Sequence, residues 1–227
     1  MLPKEYSDLF IKNFSFWEHL SHDEKTLLVE NAKNVRFQKG AGVHNENNDC
    51  SGILLVKSGQ LRTYMLSDDG RDITLYRMFS GDVCIMSAAC VLEEVTFDVF
   101  IDAVEDTELL IIATAAFNRL AENNIYVKCF AYEQATARFS DVMWAMQQIL
   151  FMSVDQRLAI FLIDEFSKEK SDKLRITHEQ IARYMGSARE VVSRMLKYFE
   201  QDGIVRLSRG GVEVTDKEKL RKLAGMV

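Results

Sequence analysis

Apolar and polar positions along this chain change period three times. From residue 5 to 34 they follow short helical stretches anchored by Phe10, Phe14, Phe16, Trp17, Leu20, Leu27 and Leu28. Between Val35 and Ile112 the pattern shifts to runs of strand composition: ILLV, QLRTYML, ITLYRMF, VTFDVFIDAV and TELLII. Gly40, Gly42, Gly52, Gly59, Gly70 and Gly81 punctuate them, and those in KSGQ, DDGR and FSGD recur at an eleven-residue spacing. Short strands at that pitch predict an antiparallel sandwich or barrel, with DDGRD as a hairpin turn.

From Thr114 to about Met152 the period is helical. Tyr132, Ala135, Phe139, Val142, Met146 and Ile149 step by three and four, the seam of a coiled coil. A second stripe through Phe130, Ala137, Trp144 and Phe151 lies on another face. A helix with two apolar faces must bury both. The simplest arrangement packs one on the sheet region and the other on a second copy of the chain; the alternative is a helix wholly inside one core. SVDQR, residues 153 to 157, reads as a hinge. The expected organisation is therefore a β-rich domain over residues 1–113, a dimerisation helix region over 114–153, and a C-terminal module over 154–227.

Within that module, Thr177-His178-Glu179-Gln180 has capping-box spacing and starts a helix. Ile181, Ala182 and Met185 give it an apolar side, and Gly186 stops it. Ser187-Ala188-Arg189-Glu190 repeats the spacing and starts a second helix at once, which makes a helix-turn-helix. At about 100° per residue, Val192, Met195, Leu196 and Phe199 share one side of the second helix. Arg189, Glu190, Ser193, Arg194 and Lys197 share the other. The apolar side needs a core; the polar side, beginning at the helix N-terminus, has the chemistry for a major groove. Arginine can bind guanine with two hydrogen bonds and glutamate can accept from cytosine. Glu190 has a competing use in closing its own capping box. After Asp202-Gly203, the segments IVRL, SRGG and VEV read as a tight hairpin, a wing offering Arg206 and Arg209 to phosphate.

Composition and charge refine this. The chain has 227 residues, 48% hydrophobic and 27% charged, as in a soluble globular protein. The net charge of −6 opposes DNA binding at first sight. It is unevenly spread: from Asp155 onward there are 15 Lys and Arg against 12 Asp and Glu, and the rest carry 13 against 22. A mildly basic module can approach phosphate on an acidic body because the local field decides the contact. No apolar run reaches the roughly 20 residues that span a bilayer. MLPKEYSDLF has no signal-like apolar core, so a cytoplasmic protein is expected, without membrane partners. The four cysteines (Cys50, Cys84, Cys90 and Cys129) include no CxxC pair and are expected to be reduced thiols.

Together these stretches resemble the Crp/Fnr superfamily of bacterial transcription regulators over nearly the whole chain. VKSGQLR and FSGDV look like the turns of its β-roll. ITHEQIARYMGSAREVVSRMLKYFEQDGIV looks like its DNA-binding signature and is the most specific part of the match. The resemblance implies an α+β fold: an N-terminal double-stranded β-helix (a β-roll of the cyclic-nucleotide-binding kind), a long dimerisation helix and a C-terminal winged helix-turn-helix. It implies a homodimer that binds an inverted repeat in double-stranded DNA, with TGTGA-like or TTGA-like half-sites, and RNA polymerase as a partner. By position, Arg189, Glu190 and Arg194 match base readers of the cyclic-AMP-responsive branch. Glu190, Ser193 and Arg194 match those of the Fnr branch. Lys197, Arg206, Arg209 and the helix-start residues Thr177 and Ser187 complete the expected DNA-binding set.

The effector is expected to differ from cyclic AMP. Cyclic-nucleotide binders of this fold follow the FSGD-type turn with a Gly-Glu pair, and about ten residues later an Arg-Ser or Arg-Thr pair. These hold the ribose and the cyclic phosphate. This chain has Ile85-Met86 and Phe97-Asp98 at those positions, and Val142-Met143 where the family offers polar groups to adenine. An aspartate beside a phosphate repels it. The iron–sulfur arrangement of the Fnr branch is absent, because no cysteine precedes Cys50. The candidate effector region is Cys84, Ile85, Met86, Cys90, Phe97, Val142 and Met143. It could take an apolar or gaseous ligand or a redox signal at Cys84 and Cys90, although small buried thiols fit the same pattern. Haem is a further alternative from the family's gas sensors, but the one nearby histidine, His44, reads as a surface residue. Two other classes compete. A cupin-type enzyme needs converging histidines, and there is no H-x-H, Walker-type loop or G-x-S-x-G, so no catalysis is expected. A regulatory module acting on a protein partner leaves the outward arginines unexplained.

Overall fold

The structure, a computed structural model, describes residues 4–44, 52–70, 72–85 and 99–226, with side chains from residue 8 onward. Contacts divide the chain into two units, Met1–Leu66 with Leu75–Val142, and Ser67–Thr74 with Met143–Val227.

In the first unit, helices α1 (Lys4–Asn13) and α2 (His22–Glu30) precede eight strands among the described residues. These are β1 (Ala32–Phe37), β2 (Gly42–His44), β3 (Ile53–Ser58), β4 (Leu61–Leu66), β5 (Asp72–Met78), β6 (Val83–Cys84), β7 (Phe100–Ala103) and β8 (Thr107–Ile112). They form two four-stranded sheets, ordered β1-β8-β3-β6 and β2-β7-β4-β5. The run ILLV is buried on both faces, which explains why it lacks alternation. Leu54 and Val56 join a core with Leu61, Met78, Ile101 and Leu109. Ile53 and Leu55 join a second core with Phe10, Phe14, Phe16, Trp17 and Phe117. The helical anchors read from the sequence thus cover one sheet. Gly59 illustrates why the periodic glycines matter. Its φ is +86°, and a Cβ there would lie 2.5 Å from Thr107 Oγ1 and 2.6 Å from the Asp106 carbonyl oxygen. Neither the backbone nor the space admits a side chain.

The helical stretch after Thr114 is interrupted. Helix α3 (Thr114–Asn123) ends at Asn124, which is extended, and α4 (Ile125–Phe151) follows. Only the start of α4 is fully covered, by burial of Val127, Phe130 and Ala131. The second stripe is therefore not one continuous buried face: Phe130 is buried, while Ala137, Trp144 and Phe151 are exposed in the single chain. The break after α4 falls at Met152-Ser153, and residues 154 to 157 form the first turn of α5 (Val154–Glu169) rather than a hinge.

The second unit continues with β9 (Lys173–Leu174), α6 (His178–Met185), α7 (Arg189–Gln201), β10 (Val205–Ser208), β11 (Gly211–Val214) and α8 (Lys217–Leu223). Leu158, Leu162, Ile181, Met185, Val192, Leu196, Phe199, Val212 and Leu220 build its core. A charged side chain is buried in the same unit. Arg157, 9% exposed, donates from Nη2 to the Met185 carbonyl oxygen at the C-terminal end of α6. Burial holds its pKa below the ordinary guanidinium value. A cation at a helix C-terminus satisfies an otherwise orphan carbonyl and meets the negative end of the dipole. Arg157→Met should keep the stem packing, lose this bond, and lower stability by about 1.5–3 kcal/mol. Urea unfolding would read this, and an unchanged midpoint would refute it.

Candidate nucleic-acid interface and effector region

The capping box forms as its spacing predicts. Thr177 N donates to Gln180 Oε1 at 2.9 Å, and Gln180 N donates to Thr177 Oγ1 at 3.2 Å. Gly186 closes α6 in the left-handed region, with φ +58° and ψ +45°. That closure corrects the next reading. Ser187 N donates back to the Ala182 carbonyl oxygen at 2.9 Å, so Ser187 belongs to the turn. Helix α7 takes Ala188 as its N-cap, with no side-chain cap bond. The Ser187–Glu190 box does not form, and Glu190 is left exposed in the first turn.

Around α7, the division into faces follows the predicted period. Val192, Leu196 and Phe199 are buried and Met195 is half-buried against them. Arg189, Glu190, Arg194 and Lys197 are exposed on the outer side. Arg189 Nε lies 3.7 Å from Glu179 Oε2 on α6. Ser193 is half-buried, its hydroxyl 3.0 Å from His178 Nδ1. The His178 pKa is lowered by burial first, then by the charges of Arg189 and Lys197. These cations, with the positive end of α7, oppose a further positive charge on the His178 ring.

Strands β10 and β11 form the wing as an antiparallel pair, Ser208 opposite Gly211, with Arg209 and Gly210 as its loop. The β9 strand adds a third member beside β11. Arg209 stands exposed at the tip. Arg206 is also exposed, but Glu213 draws it in, with Nη1 to Oε2 at 3.7 Å, and Glu213 also meets Lys173 at 3.3 Å. Sequence reading missed β9 and α8, both short and carrying little periodicity.

The effector candidates are partly described. Met86, Cys90 and Phe97 lie outside the described residues. Cys84 and Ile85 are fully buried, but on opposite sides of the same sheet, in its two separate cores. Val142 packs on the edge of the core that holds Cys84. Met143 is 46% exposed. Sequence reading missed the polar groups near Cys84. Tyr76 Oη is 4.0 Å from its sulfur, and burial, then the Cys84 charge, pushes the phenol well above its ordinary pKa. Arg138 of α4 places its guanidinium 5.0 Å from the Tyr76 ring and pairs with Asp141 at 2.9 Å. Arg62 and Thr63 are buried on β4. Nothing local marks Arg62 as buried or Arg138 as half-buried, since an arginine in either period reads as a solvent face. Among the described residues, no group of three or more His, Cys, Asp and Glu could hold a metal.

Four of the coiled-coil seam candidates stay uncovered in the single chain: Tyr132 is 56%, Phe139 65%, Met146 46% and Ile149 40% exposed. Ala135 packs instead at the edge of the helical core. Among the described residues, no helix is long and apolar enough to cross a membrane.

Known proteins share both halves of this arrangement. Residues 156–223 match the model of a Crp-like helix-turn-helix domain, and residues 34–124 match that of a cyclic nucleotide-binding domain. The cyclic AMP receptor protein of Thermus thermophilus is 24% identical over 94% of this chain and 98% of its own length. The transcriptional activator protein Anr of Pseudomonas aeruginosa is 24% identical over 91% of this chain and 86% of its own. A crystal structure from Eubacterium rectale, assigned to the Crp/Fnr family of transcriptional regulators, is 45% identical and superposes with a TM-score of 0.87. It covers 94% of this chain and 99% of that one. With both domain models matched and a 45% identical Crp/Fnr structure superposing over nearly its whole length, the chain belongs to the Crp/Fnr family of DNA-binding transcription regulators, not to an enzyme family.

Proposed function

We propose that this regulator binds an inverted-repeat operator as a homodimer, in the cytoplasm, and acts with RNA polymerase under a signal other than a cyclic nucleotide. The observation that carries the DNA-reading part is the outer face of α7, where Arg189, Glu190, Arg194 and Lys197 stand exposed along the side opposite its core. Arg189, Glu190, Ser193 and Arg194 read base edges. Lys197, Arg206, Arg209 and the backbone around Thr177 and Ser187 meet phosphate and set the docking angle. The exposed seam on α4 supports the homodimer, because so large an apolar stripe is costly to leave in water.

The effector part rests on the ligand-holding pairs. Ile85 occupies the position of a ribose-binding residue, and its side chain is spent in an apolar core. A cyclic nucleotide finds no anchor there. The signal acts instead on the region of Cys84, Ile85, Met86, Cys90, Phe97, Val142 and Met143.

One experiment tests both parts. Selection from random duplexes should enrich a palindrome whose half-sites lie about 34 Å apart, one helical turn. Titrating cyclic AMP or cyclic GMP into that complex should leave its affinity unchanged. Enriched sequences without two-fold symmetry would overturn the operator assignment. A saturable response to either nucleotide at micromolar concentration would overturn the effector assignment.

A further inference from the structure

Within the outer α7 set, Ser193 is half-buried and its hydroxyl is already engaged by a titratable ring of the protein. Its hydroxyl meets His178 Nδ1 at 3.0 Å, from the first turn of α6. A serine hydroxyl has one proton and two lone pairs, and a histidine ring nitrogen can be donor or acceptor. The ring therefore decides what Ser193 can show to DNA. When His178 is neutral with its proton on Nε2, Nδ1 accepts the serine proton, and lone pairs face outward. Ser193 then suits an amino edge, adenine N6 or cytosine N4. When the ring is protonated, Nδ1–H donates to the serine oxygen, and the hydroxyl proton turns outward. Ser193 then suits guanine O6 or N7, or thymine O4.

We infer that His178 is a positioning residue for Ser193, and that its protonation state sets which base edge Ser193 prefers. This rests on the reading of α7 as the base-reading helix. The ring is well placed to change state. Burial, Arg189 and Lys197 hold its pKa below 6.5 in the free protein. Of the charges around it, those two come from α7; on its own helix the neighbouring Glu179 lies 3.7 Å from Arg189 Nε. DNA phosphates oppose the field of both cations, so the pKa rises in the complex. A group whose pKa rises on binding takes up a proton, and the complex gains affinity as pH falls.

The test measures affinity for the selected palindrome and for every single-base-pair variant of one half-site, between about pH 5.5 and 8. In the parent protein, one base pair should shift its preference about fivefold toward a keto edge as pH falls. His178→Gln keeps a hydrogen-bonding side chain but cannot titrate, and should hold that preference constant with pH. Ser193→Ala should abolish the shift at the same base pair and no other. A shift that persists in His178→Gln, or a parent whose preferences ignore pH everywhere, overturns the inference. The base-reading assignment fails by a different result: Ser193→Ala and Arg194→Ala proteins that keep every preference of the parent. Thermal melting of each variant separates these effects from misfolding.

Discussion

Replacing Phe139 and Met146 together by aspartate should give monomers that bind the palindrome at least about 100-fold more weakly. Both side chains are largely exposed in the single chain and add little to its own core. The fold of one subunit should therefore survive. In a dimer the two positions lie in the apolar seam, where each carboxylate would be taken out of water without a partner, at several kcal/mol per ion. Loss of the dimer separates the two half-site contacts, and linked contacts of this kind gain about 10²–10⁴ over separate ones. Sedimentation velocity reads the first effect and a binding titration the second. If the double variant still sediments as a dimer, the seam lies on another face.

The second large effect concerns α7, proposed above as the base-reading helix. Arg194→Ala should cost about 1–3 kcal/mol on the selected palindrome and relax the preference at one base pair. Arg209→Ala, at the tip of the wing, should weaken selected and random duplexes alike and reduce the salt slope by about one unit at most. Measuring both variants on both duplexes across a salt series separates base reading from backbone positioning. Equal loss on the two duplexes for Arg194→Ala would remove it from the base-reading set. Arg206 should give the weaker phenotype of the two wing arginines, since Glu213 already offsets part of its charge.

What was legible in the sequence was what chemistry settles locally. Thr177 and Gln180 are three residues apart, and the box they predict forms. The wing follows from the SRGG turn between the short runs IVRL and VEV, and the faces of α7 from its period. Ser187 shows where this logic stops. Its spacing to Glu190 is the same as in the first box, but Gly186 turns the chain so that the Ser187 amide caps α6 instead. The choice depended on which helix claimed the residue, not on spacing. The His178–Ser193 bond depends on how α6 packs on α7, and sequence separation hides it. Buried Arg157 and Arg62 and half-buried Arg138 escape a sequence reading for one shared reason. Burial of an arginine depends on the partners that surround it, and its residue type argues for the surface.

Strand β3 has a mechanical consequence. Leu54 and Leu55 are sequence neighbours, yet each belongs to a different core. Protein interiors are packed as densely as organic crystals and yield little. A backbone displacement demanded by one core must therefore be taken up by the other. Both cores also touch α4, one at Val127, Phe130 and Ala131, the other at Val142. A change in volume beside Tyr76 or Cys84 thus bears on that helix at two separated points, one directly and one through the strand. Unequal pushes at two points along a rod turn it.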